Sequence, residues 1–192
     1  VKEDRPGEAA RWFDLALNQT MWTVDFRANA YVTLPMFVHR WALEDEISQG
    51  DVARVNLRLD RMLRLDAMDI DFAERLLPMM RQAGMEKDAN RVLNLIVDKG
   101  IAYGEQFPFD AMTCNNVAWV AAVNERRLDD ALRLSKLAVR AEPDSAIYRD
   151  TLAEVLFQLD RPIESLQIGK GCLLDDPTQW HLHEQFQKYR SS

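Results

Sequence analysis

The stretch Asp110–Pro177, DAMTCNNVAWVAAVNERRLDDALRLSKLAVRAEPDSAIYRDTLAEVLFQLDRPIESLQIGKGCLLDDP, states one pattern twice. Pro143 and Pro177 stand 34 residues apart, as do Ala131 and Ser165, and Ala138 and Cys172. Upstream of each set, Asn115-Asn116-Val117-Ala118-Trp119-Val120 is echoed by Asp150-Thr151-Leu152-Ala153-Glu154-Val155. A repeating unit of this length implies stacked helix pairs, because one pair cannot bury its apolar side alone and a stack can. Such arrays hold other molecules on an extended surface, which points away from a single buried reaction centre.

Working outward, the same punctuation recurs. Asp110, Asp144, Asp160 with Pro162, and Asp176-Pro177-Thr178-Gln179 each read as a helix start. The last helix runs to about Tyr189, with Trp180, Leu182 and Phe186 on its apolar side, as expected of a helix that seals a stack. Upstream, Gly50 and Gly84 are also 34 residues apart. They flank Val52–Leu65, whose Val55, Leu59, Met62 and Leu63 share one helical side while Arg54, Arg58 and Arg61 share another. Asp69–Gln82 reads as a helix that Pro78 bends or restarts, and Lys87–Lys99 as the next. Gly100–Phe109, with two Gly, one Pro and two Phe, reads as an irregular insertion. The N-terminal part carries helical spacing over Gly7–Leu17 and from about Trp22 to Ser48, interrupted at Pro35. Residues 1–49 are thus an irregular helical region and 50–190 the repeat domain.

Composition agrees. The chain has 192 residues, 47% of them apolar, with seven Gly and seven Pro, and no long β-branched runs. That is an all-helical balance. The net charge of −7 argues against nucleic acid, since a phosphate-tracking surface needs clustered Lys and Arg. Arg54–Arg64 and Arg126–Arg140 read instead as solvated helix sides. No apolar run approaches the ~18 residues a membrane helix needs, and no secretory leader is legible. Cys114 and Cys172 have no metal-type spacing and read as buried small hydrophobes. The chain begins with Val1 rather than Met, so both a piece of a longer protein and a complete chain are open; read as complete, it is expected in the cytoplasm.

Catalytic and metal signatures fail on spacing. His181 and His183 differ by ~200° around a helix and cannot share a metal, and His39 has no partner at ligand spacing. Gly169-Lys170-Gly171 lacks phosphate-loop spacing; Gly169 suits close helix packing. Asp129-Asp130 and Asp175-Asp176 sit where acids offset a helix dipole. No Ser or Cys has a nucleophile-elbow context. The expectation is no catalytic residue, no metal ligand and no cofactor.

In Leu152-Ala153, Ser165, Cys172 and Pro177, and again in Val117-Ala118, Ala131, Ala138 and Pro143, the chain resembles the tetratricopeptide repeat. That family places small residues where the two helices of a repeat cross closely. The second set has one extra residue in its turn, near Asn124–Arg127. In Leu76-Leu77 and Ala89 an earlier unit keeps the spacing, while Val55 and Met62 are larger than the pattern prefers. From Gly84 to the equivalent position near Arg126 is 42 residues, a surplus of eight that the insertion would absorb. The resemblance implies a right-handed superhelical solenoid of antiparallel helix pairs, with irregular N-terminal helices and a C-terminal capping helix.

It also implies a concave groove lined by the first helix of each pair. Its positions here would be Asp71, Glu74 and Arg81, then Asn115 and Trp119, then Asp150, Glu154 and Phe157. Four are acidic and two aromatic, which suits a basic, apolar peptide or helix. A carboxylate-ended peptide is disfavoured, since Asp150 and Glu154 would repel it. Tyr103, Phe107 and Phe109 offer a second contact site. The expected function is a non-enzymatic protein-interaction or scaffold module. The alternatives are an accessory domain of a larger protein and a self-associating array.

Overall fold

The computed structural model describes residues 5–20, 30–65 and 72–191. Among these residues every element is helical and none is a strand. In order they are α1 (Pro6–Thr20), α2 (Ala30–Ser48), α3 (Val52–Leu65), a π-helical turn (Phe72–Leu76), α4 (Leu77–Gln82), α5 (Glu86–Gln106), α6 (Ala111–Val123), α7 (Leu128–Ala141), α8 (Ala146–Gln158), α9 (Pro162–Asp175) and α10 (Trp180–Arg190). Residues 22–29 and 69–71, read as helical from sequence, lie outside the described residues. The chain divides into two compact units, Val1–Ala67 with Glu74–Leu93, and Met68–Ala73 with Asn94–Ser192, so the division falls inside α5.

In the first unit α1 packs along α2, and α2 packs on α3. Val55, Leu59 and Met62 are fully buried beside Leu43 and Ile47, the α3 stripe its spacing predicts. Pro35 lies within one continuous helix. Pro78 marks a restart, since it occupies the first turn of α4 just after the π-helical turn, where its missing N–H costs nothing.

In the second unit consecutive helices pair in the manner of a right-handed superhelical solenoid. Here α6 lies on α7, α7 on α8, α8 on α9 and α9 on α10, while α6 also meets α8. Ala118, Ala131, Ala138, Ala153, Ser165 and Cys172, the six small positions of the sequence pattern, are all buried. A larger side chain at any of them would hold the helices apart.

The turn inside each pair is built one way throughout. Asp51 N–H donates to Glu46, Met85 to Met80, Arg126 to Ala121 and Arg161 to Leu156, at 2.8–3.1 Å. This is the six-residue closure that ends a helix with one left-handed residue. That residue is Gly50 (φ 70°), Gly84 (φ 77°), Glu125 (φ 52°) and Asp160 (φ 58°) in turn. The extra residue after α6 appears as a second left-handed position, Arg127 (φ 49°).

Three expectations are corrected. Gly100–Phe109 is not irregular, because α5 continues to Gln106. It has 21 residues where α3, α7 and α9 have 14, so the surplus is spent as about two added helical turns. Gly100 and Gly104 are there for contact: a Cβ at Gly100 would lie 2.3 Å from Val117, and one at Gly104 2.5 Å from Leu134. Second, Ser145 rather than Asp144 caps α8, accepting from Tyr148 N–H, and Asp160 closes α8 instead of opening α9. Third, α10 starts at Trp180, three residues past the Pro177 signal, and the Asp176 carboxylate accepts from the Thr178 hydroxyl, at 2.9 Å, instead of capping α10.

Candidate functional site

The residues predicted to line a groove fall into three groups. Asp71 lies outside the described residues. Glu74 and Arg81 belong to the first unit, where Glu74 is exposed and Arg81 is half-buried, with its Nε 3.7 Å from Glu86. Asn115, Trp119, Asp150, Glu154 and Phe157 belong to the second unit, on the adjacent helices α6 and α8. Asn115 and Trp119 are four apart and share one side of α6; Asp150, Glu154 and Phe157 share one side of α8 by the same rule.

These side chains do not form an open acidic lining. Asp150 is 3% exposed and Glu154 is completely buried. What covers them is α10. His181 Nε2 stands 3.0 Å from Asp150 Oδ2. Glu154 accepts from Lys188 Nζ at 2.6 Å, from the Tyr189 hydroxyl at 3.2 Å and from Gln158 Nε2 at 2.7 Å. Three donors on a buried carboxylate are what it needs to be tolerated. Phe157 packs its ring 5.3 Å from that of Tyr189, and Lys188 Nζ lies 5.0 Å above it. Trp119 meets the His181 ring edge-on at 5.3 Å. Asn115 is buried, its Nδ2 3.5 Å from Asn116 Oδ1.

Burial sets the electrostatics. It raises the Asp150 carboxyl above its ordinary value, against the hydrogen bond from His181, which lowers it. It also lifts the Tyr189 phenol far above the usual range, with Asp150 and Glu154 adding to the effect. Tyr189 is therefore a fixed donor. The Cys172 thiol is pushed up to about 11, again by burial, and both cysteines are free and buried.

The sealing residues of α10 are Leu182 and Tyr189, both buried; Trp180, expected on that side, is 73% exposed. Tyr189 fits because α9 carries Gly169 beneath it, where a Cβ would come within 3.0 Å of the ring. His181, which the spacing excludes as a metal ligand with His183, together with Lys188 and Tyr189 supplies the donors of this site. A signal existed: His181 with Lys188, and Leu182 with Tyr189, are each seven apart and so share a side. Of the second contact site, Tyr103 lies on α5 and donates its hydroxyl to Asp110 at 3.1 Å, while Phe109 is 91% exposed on the following turn.

Among the described residues no group of His, Cys, Asp and Glu could hold a metal ion, and no helix is long and apolar enough to cross a membrane. No family model matches the chain, and no curated protein matches it.

Proposed function

We propose that the chain is a tetratricopeptide-type interaction module, non-enzymatic, that receives a basic and apolar helix or peptide on the α6–α8 side of its second unit. One observation carries this reading. The acidic pair Asp150 and Glu154 takes an imidazole, an ammonium and a phenol from α10, beside the aromatic rings of Trp119 and Phe157. In this reading α10 acts as a ligand held in cis, and a partner helix of the same chemistry uses the same acceptors. Attachment through the chain converts binding into an intramolecular event of high effective concentration. A partner must therefore outcompete α10 or meet a chain in which α10 is loosened.

The test uses the full chain and a labelled peptide of residues 177–191. Lys188→Ala/Tyr189→Ala weakens the chain's own α10 and should capture the peptide at least about tenfold more tightly than wild type. Adding Asp150→Lys/Glu154→Lys should abolish capture. Equal capture by all three chains overturns the reading.

A second reading, self-association, is favoured by α1, where Trp12, Phe13 and Leu15 stand exposed along one helix. Large apolar side chains exposed together on one helix are the kind of surface a partner covers. Light scattering should then give twice the chain mass, reverting to the single mass in Trp12→Ser.

A further inference from the structure

The first unit contains a cleft of ≈ 400 Å³ between α1, α2 and α3. Its size falls within the range of small-ligand sites. Its α3 wall is basic: Arg54, Arg58 and Arg61 recur at the spacing that puts them on one helix side. From α1 comes Arg11, and from α2 comes His39. Three carboxylates, Asp14, Asp45 and Glu46, line the same space, so four guanidiniums face three acids.

The arginines are not equivalent. Arg58 is neutralised by Glu46, with Nε–Oε2 at 2.7 Å and Nη2–Oε1 at 2.6 Å. Its remaining Nη1 donates to His39 Nδ1 at 3.1 Å. An imidazole that accepts at Nδ1 carries its proton on Nε2, so His39 retains one N–H to give. Arg54 pairs with Asp51 at 3.2 Å, and Asp45 accepts from Gln49 at 2.8 Å. Arg11 and Arg61 make no hydrogen bond or ion pair among the described residues. Two guanidiniums with no bonded partner and an imidazole N–H thus line one cleft.

We propose that this cleft binds a small phosphorylated molecule, its phosphate held by Arg11 and Arg61 with His39 as an additional donor. A guanidinium pairs with phosphate oxygens through two parallel hydrogen bonds. A dianion engages both free arginines, whereas a single carboxylate satisfies one. The local field agrees: burial, then Arg58 and Arg61, lower the proton affinity of His39, and together they outweigh Asp14 and Glu46. A bound anion reverses part of that effect.

Calorimetric titration of the full chain with phosphoserine, at ionic strength fixed by chloride, tests this. Saturable one-to-one binding is expected with a Kd below about 1 mM. Binding should weaken about tenfold or more in Arg61→Gln and in Arg11→Gln. Both side chains are exposed and unengaged, so both variants should retain the wild-type far-UV spectrum. Arg140→Gln, on the second unit, should bind as wild type does. Inorganic phosphate should compete, and acetate at the same concentration should not. The His39 ring resonance should titrate at higher pH with phosphoserine bound, and this shift should vanish in Arg61→Gln. Absence of saturation, equal affinity across the variants, or equal competition by acetate overturns the proposal.

Discussion

Both units bury carboxylates, and they partner them differently. In the first, Glu46 takes the fork of Arg58 and Glu44 takes Arg75. In the second, Asp150 takes His181, and Glu154 takes Lys188 and Tyr189. A guanidinium keeps its charge at any pH a protein meets and binds with fixed geometry. An imidazole loses its charge near neutrality, and an ammonium is a point charge on a flexible stem. The first arrangement ties α2 to α3 through Arg58 and to the π-helical turn through Arg75. The second ties one terminal helix, α10, to α8 through a point-charge ammonium, an imidazole and a phenol. The comparison teaches that the same problem, an acid out of water, is met once by guanidiniums and once by an imidazole, an ammonium and a phenol from a single terminal helix.

The largest expected effect breaks the guanidinium half. Arg58→Met leaves Glu46 buried without its partner and should cost about 3 kcal/mol in urea unfolding, the scale for stripping one member of a buried pair. Lys188→Met should cost less, about 1–2 kcal/mol, because Tyr189 and Gln158 still donate to Glu154. Hydrogen exchange should quicken in α10 and stay unchanged in α3. If both variants lost protection everywhere, the contrast between the two arrangements would fail.

A smaller effect is pH-dependent. His39 has its proton affinity lowered in the folded chain, chiefly by burial and then by Arg58 and Arg61, from an ordinary value of 6.5. Its contribution is therefore complete above that value and is lost as pH falls through the lower folded value. Wild type should lose more stability between roughly pH 7 and 5 than His39→Gln does; parallel curves would contradict this assignment. The smallest effect concerns the turns. The first unit uses Gly50 and Gly84 at the left-handed position, and the second uses Glu125 and Asp160. Glu125→Gly removes the steric cost of a side chain there, less the entropy glycine adds, and should raise stability by about 0.5 kcal/mol. A lower melting temperature would show that Glu125 makes a compensating contact.

Much of the fold was legible because it rests on volume and period. Ala118, Ala131 and Ala138 announced helix crossings that the structure buries, and the spacing of Gly50 and Gly84 announced matching turns. The lengthened α5 was not legible, since Gly100 and Gly104 read as breakers when their role is to admit Val117 and Leu134. The candidate site was read in part. Asp150 and Glu154 do share one side of α8, but that side is covered by α10, and acids are taken as solvated unless a partner is known. Theirs lie 31 to 35 residues away on another helix, beyond what local periodicity reports.

One missing carbon atom governs how deep the phenol of Tyr189 sinks. Its ring rests on the bare backbone of residue 169, and its hydroxyl ends 3.2 Å from Glu154. A methyl group at that spot would stand 3.0 Å from the ring, so the ring must give by a few tenths of an ångström, which strains a hydrogen bond already at the long end of its range. One phenol's place between two helices is thus set by the size of a residue on a third, at a position that carries no side chain.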